Sequence, residues 1–339
     1  MRRLLRTLLV MGLLLAVLVA AAALFGWRHF EQFRNAPAGL PADAVLLVER
    51  GDGFVAVLRK LREAGASAGH DLEWKLLAAR MDALPKLQAG EYALSPAISP
   101  EAILRKLVEG DVVRHRFTMV EGWSMRDLRA ALARAPLVED DVAALDDAAL
   151  MAKLGRDGVP AEGRFLPETY VFVRGDRTSA LLARAADAMD QALALAWAER
   201  SSELPLQRPE DLLILASIIE KETGKASERP EIAGVFTRRL RIGMRLQTDP
   251  TVIYGLGDAF DGNLRRRDLR ADTPFNTYTR TGLPPTPIAM PGVAALEAAA
   301  RPLDGDTLYF VSRGDGSHQF SRSYAEHREA VRRYQLGGR

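Results

Sequence analysis

Apolar residues are spread unevenly along this 339-residue chain. Leu8 to Trp27 carries no charge, and no later stretch is as long and as apolar. At 1.5 Å per residue a helix over that run reaches about 30 Å, the thickness of a bilayer's hydrocarbon core. Arg2, Arg3 and Arg6 precede it, Arg28 and His29 close it, and Trp27 falls where interfacial aromatics sit. A cleavable signal peptide is the rival reading, because Ala20 to Ala23 offers small residues. The run exceeds the roughly 7–15 residues of a signal core, which favours a retained anchor. The three arginines then place the N-terminus inside and the rest of the chain outside.

Beyond the anchor the pattern switches between periods of two and of 3.6. Glu31 to Asp43, with Pro37 and Pro41, reads as a tether. Ala44 to Glu49 predicts a strand, turned by Gly51-Asp52-Gly53 into a helix with Phe54, Val57, Leu58 and Leu61 in register. A second helix is predicted over 71–81, with Leu72, Leu76 and Leu77 on one side, and a strand over 87–94 entered through Gly90. Ser99 and Pro100 mark the start of a helix that runs to Gly110. Such a strand–helix–helix–strand unit buries a modest core, which suits an accessory binding domain.

A larger α+β region follows. It opens with a strand over 112–120 and a helix capped by Ser124. The acidic stretch 138–154 reads as a solvated face. Helices are expected over 178–198, 208–223, 231–240 and 293–300, a hairpin around Gly314-Asp315-Gly316, and a last helix from Tyr324. The long irregular stretch 276–292 is the kind that forms a working surface.

Composition narrows the chemistry. Lys plus Arg number 46 against 44 Asp plus Glu, so the net charge of +2 makes no case for nucleic-acid binding. The absence of Cys excludes disulfides, thiolate nucleophiles, Cys-ligated zinc and lipidation at cysteine. No histidine pair has metal-binding spacing and no phosphate loop occurs, so neither metal nor cofactor is expected.

The helix over 208–223 is apolar on nearly every side, which places it centrally. Leu215, Ile218 and Ile219 share the face of Glu222, while Glu220 lies opposite with Leu213 and Ala216. Glu222 also sits in the last turn, where the dipole disfavours negative charge. Both effects raise a carboxyl pKa, as a general acid requires. The bland alternative is an ion pair of either glutamate with an arginine in 238–245. Ser217 and Lys221 stand four apart and miss the serine–lysine spacing of three. Asp249 reads as a turn residue or as the cap of a helix starting at Pro250. With Gln247, Thr248 and Thr251 it makes a polar surface suited to sugar hydroxyls and amides, as do Asn276, Thr277 and Tyr278. Tyr254, Phe275 and Tyr278 offer faces for sugar rings, and His318 reads as a hairpin surface residue.

EKET at 220–223, the following ASERPEIAGVFTRRLRIGMRLQTDPTVIYG, and FNTYTRTGLPPTPIAMPG resemble the YceG-like family of endolytic murein transglycosylases. The resemblance extends over essentially the whole chain. It implies a cytoplasmic N-terminus and anchor (1–30), a tether (31–41), a LysM-like module (42–113) and a periplasmic catalytic domain (114–335), held at the cell inner membrane. It implies that Glu222, the second glutamate of EKET, is catalytic. Gln247, Asp249, Asn276 and Tyr278 are the candidate substrate contacts, with Glu220, Ser217 and Glu168 as candidate supporting residues. The implied substrate is the glycan strand of peptidoglycan, cut internally at the bond between N-acetylmuramic acid and N-acetylglucosamine to leave 1,6-anhydro ends. Peptidoglycan synthases are the implied partners. One departure is the loop EGRFLPETYVF, where relatives often carry more tryptophans. A non-catalytic peptidoglycan-binding scaffold and a two-carboxylate muramidase, with Asp249 or Glu168 as the second group, are the competing functions. A reporter fused to the C-terminus should work only in the exported compartment, on a chain that keeps its N-terminal residues. Recovery of a soluble form beginning around Ala22 to Phe25 would replace the anchor by a signal peptide.

Overall fold

The computed structural model describes residues 2–135 and 138–337, with side chains from Arg6 onward. Met1, the expected start of the anchor, lies outside the described residues. The chain divides into two compact units: one reaches His115 and takes in Val173–Gly175, and the other holds the remainder.

The first unit begins with α1 (Arg2–Asn35), one continuous helix long and apolar enough to cross a membrane. Its leucines and valines from Leu8 to Leu24 remain more than half exposed, as a lipid-facing surface requires. The element order then runs β1 (Ala44–Val48), α2 (Phe54–Glu63), α3 (Asp71–Arg80), β2 (Gly90–Leu94) and α4 (Pro100–Glu109). β1 and β2 pair antiparallel, Ala44 opposite Leu94 and Val48 opposite Gly90. Alternation along β1 turns Ala44, Leu46 and Val48 inward. The Ser99 hydroxyl accepts from the Ala102 amide and starts α4; Gly110, at φ 68°, ends it in the left-handed conformation that glycine tolerates.

Three sequence expectations change here. Residues 31–41 are packed rather than loose: Phe33, Ala38 and Leu40 are buried, and the Ala38 amide donates to the Ile98 carbonyl. On α3 the buried side chains are Trp74, Leu77 and Ala78, whereas Leu72 and Leu76 are 66% and 52% exposed. Trp74 takes the inner position because its indole N–H donates to the Ala68 carbonyl and its ring meets Phe33 edge-on. The strand expected over 112–120 is shorter.

The second unit opens within that strand, β3 (His115–Thr118), which pairs with β4 (Thr169–Phe172). Between them lie α5 (Met125–Leu132), started by Ser124 and Asp127 in a reciprocal cap, and α6 (Asp147–Lys153). The acidic stretch is not simply solvated. Asp146 caps α6, and Asp141 accepts from both the amide and the hydroxyl of Ser179. Against the opposing effect of its burial, those bonds and Lys153 hold Asp141 down to about 2.

α7 (Thr178–Ala198) leads to α8 (Pro209–Glu222), in which every residue from Leu212 to Ile219 is buried. α9 (Arg229–Arg241), α10 (Asp249–Leu256), α11 (Arg266–Arg270) and α12 (Val293–Ala300) follow. The small side chains of VAALEAAA let α12 lie close along α8. The hairpin β5 (Tyr309–Ser312) and β6 (His318–Ser321), then α13 (Tyr324–Tyr334), complete the unit. Its larger core cluster is a helical layer around α8, a second cluster joins β3, α5, α6, β4 and α7, and the end of α8 reaches a cleft in the surface.

Candidate active site

Glu222 is the last residue of α8, and Thr223 leaves the helix in an extended conformation (φ −145°, ψ 133°). The carboxyl is therefore delivered by the most buried helix of the unit to the point where that helix stops. The Thr248 hydroxyl donates a short hydrogen bond to Glu222 Oε1. Thr248 is itself fixed from behind. Its amide donates to Thr277 Oγ1 at 3.1 Å, its carbonyl accepts from the Thr251 hydroxyl at 2.8 Å, and the Thr251 and Thr277 hydroxyls are 2.9 Å apart. The two polar sequence segments, LQTDPT and FNTYT, thus meet as one threonine cluster under the carboxyl.

Gln247 reaches this cluster in the left-handed region, at φ 50°, with its amide donating to the Thr277 carbonyl. That conformation costs a non-glycine residue about 1–3 kcal/mol and is held by the packing around it. Tyr278 donates from its hydroxyl to Asp249 Oδ1 at 2.5 Å. Burial, and then Asp249, push the Tyr278 phenol well above its usual range.

These groups form one side of a cleft of about 430 Å³. Tyr309, Phe310, Ser312 and His318 of the hairpin, with Tyr324 and His327 of α13, form the other. Arg239 is buried at the base, donating to the Leu246 and Leu308 carbonyls and lying under the Tyr309 ring at 5.4 Å. His318 Nδ1 is 2.7 Å from Glu228 Oε2, and the His318 amide also donates to Glu228. Its other ring nitrogen has no protein partner among the described residues.

Burial pushes the Glu222 carboxyl up to about 7. The Thr248 bond works against that shift, Asp249 adds to it, and His318 and Arg239 oppose it. The result is an acid poised near neutral pH, able both to give and to take a proton.

Of the residues expected at the site, Glu222, Gln247, Asp249 and Tyr278 share the cleft. The others do not line it. Asn276 is fully buried, donating to the Asp268, Leu269 and Ala271 carbonyls and accepting from the Tyr278 amide, so it shapes the loop that carries Tyr278. Ser217 donates to the Ile214 carbonyl and accepts from the Ile288 amide inside the core. Glu220 pairs with Arg229 at 3.3 Å and accepts from the Gly292 amide. Glu168 is exposed beside β4. The expected arginine partners in 238–245 are not used: Glu220 takes Arg229, and Glu222 makes no ion pair among the described residues.

Other readings also change. Asp249 is the first residue of α10, and Thr248 holds the cap position. Tyr254 and Phe275 meet edge-to-face, ring centroids 4.9 Å apart, and Tyr254 donates to Glu162, so they serve packing. His318 belongs to the cleft and not to the outer surface of the hairpin. Glu162 of the EGRFLPETYVF loop has no sequence signal that sets it apart from other loop carboxylates. Buried, it accepts from the Met125 amide and the Tyr254 hydroxyl, and burial pushes it up to about 7 as well.

This α+β unit presents a protonatable carboxyl in a polar and aromatic cleft. Residues 46–333 match the YceG-like family. The chain belongs to that family. It is 34% identical over 266 residues to an endolytic murein transglycosylase of Bacillus subtilis, with 73% of each chain covered. It is 28% identical over 261 residues to an endolytic murein transglycosylase of Streptococcus pneumoniae, covering 67% of this chain and 46% of that one. The crystal structure of a yceG-like protein from Listeria monocytogenes superposes with a TM-score of 0.55 at 28% identity, over 84% of this chain and 97% of that one.

The raised carboxyl has a consequence for stability. Between about pH 4.5 and 7 the folded chain keeps the Glu222 proton while the unfolded chain releases it, so stability falls as pH rises through that window. Glu222→Gln removes this contribution. In chemical denaturation of the full chain in detergent, the variant should gain on the native protein across the window, by on the order of 3 kcal/mol at its upper end. A difference independent of pH would show that Glu222 is not held protonated.

Proposed function

We propose that this chain is an endolytic lytic transglycosylase of peptidoglycan glycan strands. The observation that carries the reading is Glu222 itself, a carboxyl held near neutrality in one wall of the cleft. In the proposed reaction, protonated Glu222 gives its proton to the glycosidic oxygen between N-acetylmuramic acid and N-acetylglucosamine as the bond to the muramic C1 breaks. The resulting carboxylate then takes the proton of the muramic C6 hydroxyl, whose oxygen bonds to C1 of the same ring. The products are a free N-acetylglucosamine hydroxyl and a 1,6-anhydro end, and Glu222 regains its proton. Water is not consumed.

Ordinary glycosidases use two carboxylates, one of them to activate water or to attack C1. Attack from within the ring removes that need, and its proximity lowers the barrier. In this reading Gln247, Asp249 and Tyr278 contact substrate hydroxyls and amides, and Tyr324 lies against a sugar face. In this reading the β1–α2–α3–β2 arrangement is a LysM-like glycan-binding module, the catalytic domain is periplasmic, and peptidoglycan synthases are the partners. Asp249 in the same cleft supports one competing reading, a hydrolase in which it activates water.

Product mass separates the two, because an anhydro end is lighter by one water. With the full chain in detergent and uncrosslinked glycan strands, Glu222→Gln should lower anhydro-end formation by about 10²–10⁴-fold. Glu220→Gln breaks a buried pair with Arg229, so it should cost about 3 kcal/mol of stability yet keep its rate per folded molecule. Products bearing added water would favour the hydrolase. A Glu222→Gln protein of native rate would remove Glu222 from the chemistry.

A further inference from the structure

α3 is apolar on two faces. One carries Trp74, Leu77 and Ala78 into the core; the opposite one presents Leu72, Leu76 and Ala79 to the outside, with Lys75 between them. The flank between those faces lies against α1 at the level where the apolar run ends. The Arg80 guanidinium sits 5.2 Å from the centre of the Trp27 ring and 3.6 Å from Glu31, and Glu73 pairs with His29 at 3.3 Å. Trp74 meets Phe33, only six residues, or about 9 Å along the helix, beyond Trp27. Both ends of α3 are therefore tied to the short segment of α1 that follows the span, at the height of a bilayer's interfacial region.

We infer that the outer face of α3 docks on the bilayer where α1 emerges, with Leu72 and Leu76 inserted among the lipid chains and Lys75 reaching back to the headgroups. The occupant is lipid because the exposed face continues the lipid-facing surface of α1 past Trp27, and because helices with leucines on one side and a cation beside them lie in that interface. The inference rests on α1 spanning the membrane. It makes the N-terminal unit a foot planted on the surface, not a body swinging on a stalk.

The chain has no cysteine, so single cysteines can be labelled without background. The full chain carrying Leu72→Cys, Leu76→Cys, Leu14→Cys or Val55→Cys would be labelled with an environment-sensitive fluorophore. It would then be reconstituted in vesicles of phosphatidylethanolamine and phosphatidylglycerol containing a spin-labelled lipid. Leu14 lies within the span, and Val55 is 69% exposed on α2. Both Leu72 and Leu76 are more than half exposed, so neither change disturbs the core. Labels at 72 and 76 should shift to the blue, lose fluorescence to the spin-labelled lipid and resist aqueous iodide, as at 14, while 55 stays open to iodide. Labels at 72 and 76 that behave like the one at 55 would overturn the docking. Protection from iodide without loss to the spin label would also overturn it, by showing protein and not lipid over α3. A label at 14 open to iodide would refute the span itself.

Discussion

The structure turns on keeping one carboxyl out of water while leaving its oxygens reachable. Glu222 meets that constraint by ending a helix that is buried from Leu212 to Ile219, so its surroundings are apolar on the helix side and polar on the cleft side, where Thr248 donates to it. A carboxylate in such a place lacks the solvation it has in water, and the proton stays on. The hydrogen bond from Thr248 limits that effect. Without any donor the group would be an inert acid; with several it would be an ordinary carboxylate. One donor, opposed by the nearby charge of Asp249, leaves it near neutrality.

The rest of the second unit serves this balance. α12 can lie close to α8 because its side chains are small, and that closes the apolar side around the helix. The threonine cluster holds Thr248 in place, and Asn276 holds the loop that supplies Thr277 and Tyr278. Glu220, two residues before Glu222, shows how much depends on position. Facing the other way, it meets Arg229 and the Gly292 amide and becomes a structural ion pair. Two identical side chains on one turn of one helix thus have opposite surroundings, one in an ion pair and one at the cleft.

Much of this was legible in the sequence because periodicity reports burial. The run from Leu212 to Ile219 announces a central helix, and the spacing of Leu215, Ile218 and Ile219 from Glu222 selects the enclosed carboxyl. Polar positions were harder, because hydrogen-bonding capacity does not reveal its partner. Asn276 looks like a sugar contact and is instead spent on three backbone carbonyls. The far wall of the cleft was not legible at all. His318 is 90 residues from Glu228, and only the tertiary packing of hairpin and helices brings them together. On α3 the pattern misled because both faces are apolar, so spacing alone could not tell Trp74's side from that of Leu72 and Leu76.

Below about pH 7 Glu222 is a neutral acid in the resting protein. Its carboxyl can be followed directly by difference infrared spectroscopy, which separates the stretch of a protonated carboxyl from that of a carboxylate. Subtracting the pH titration of Glu222→Gln from that of the native chain isolates this residue from Glu162, which titrates in the same range. The account predicts a protonated-carboxyl band that is lost with a midpoint near 7. A midpoint near 4.5, the value of a solvated glutamate, would contradict it.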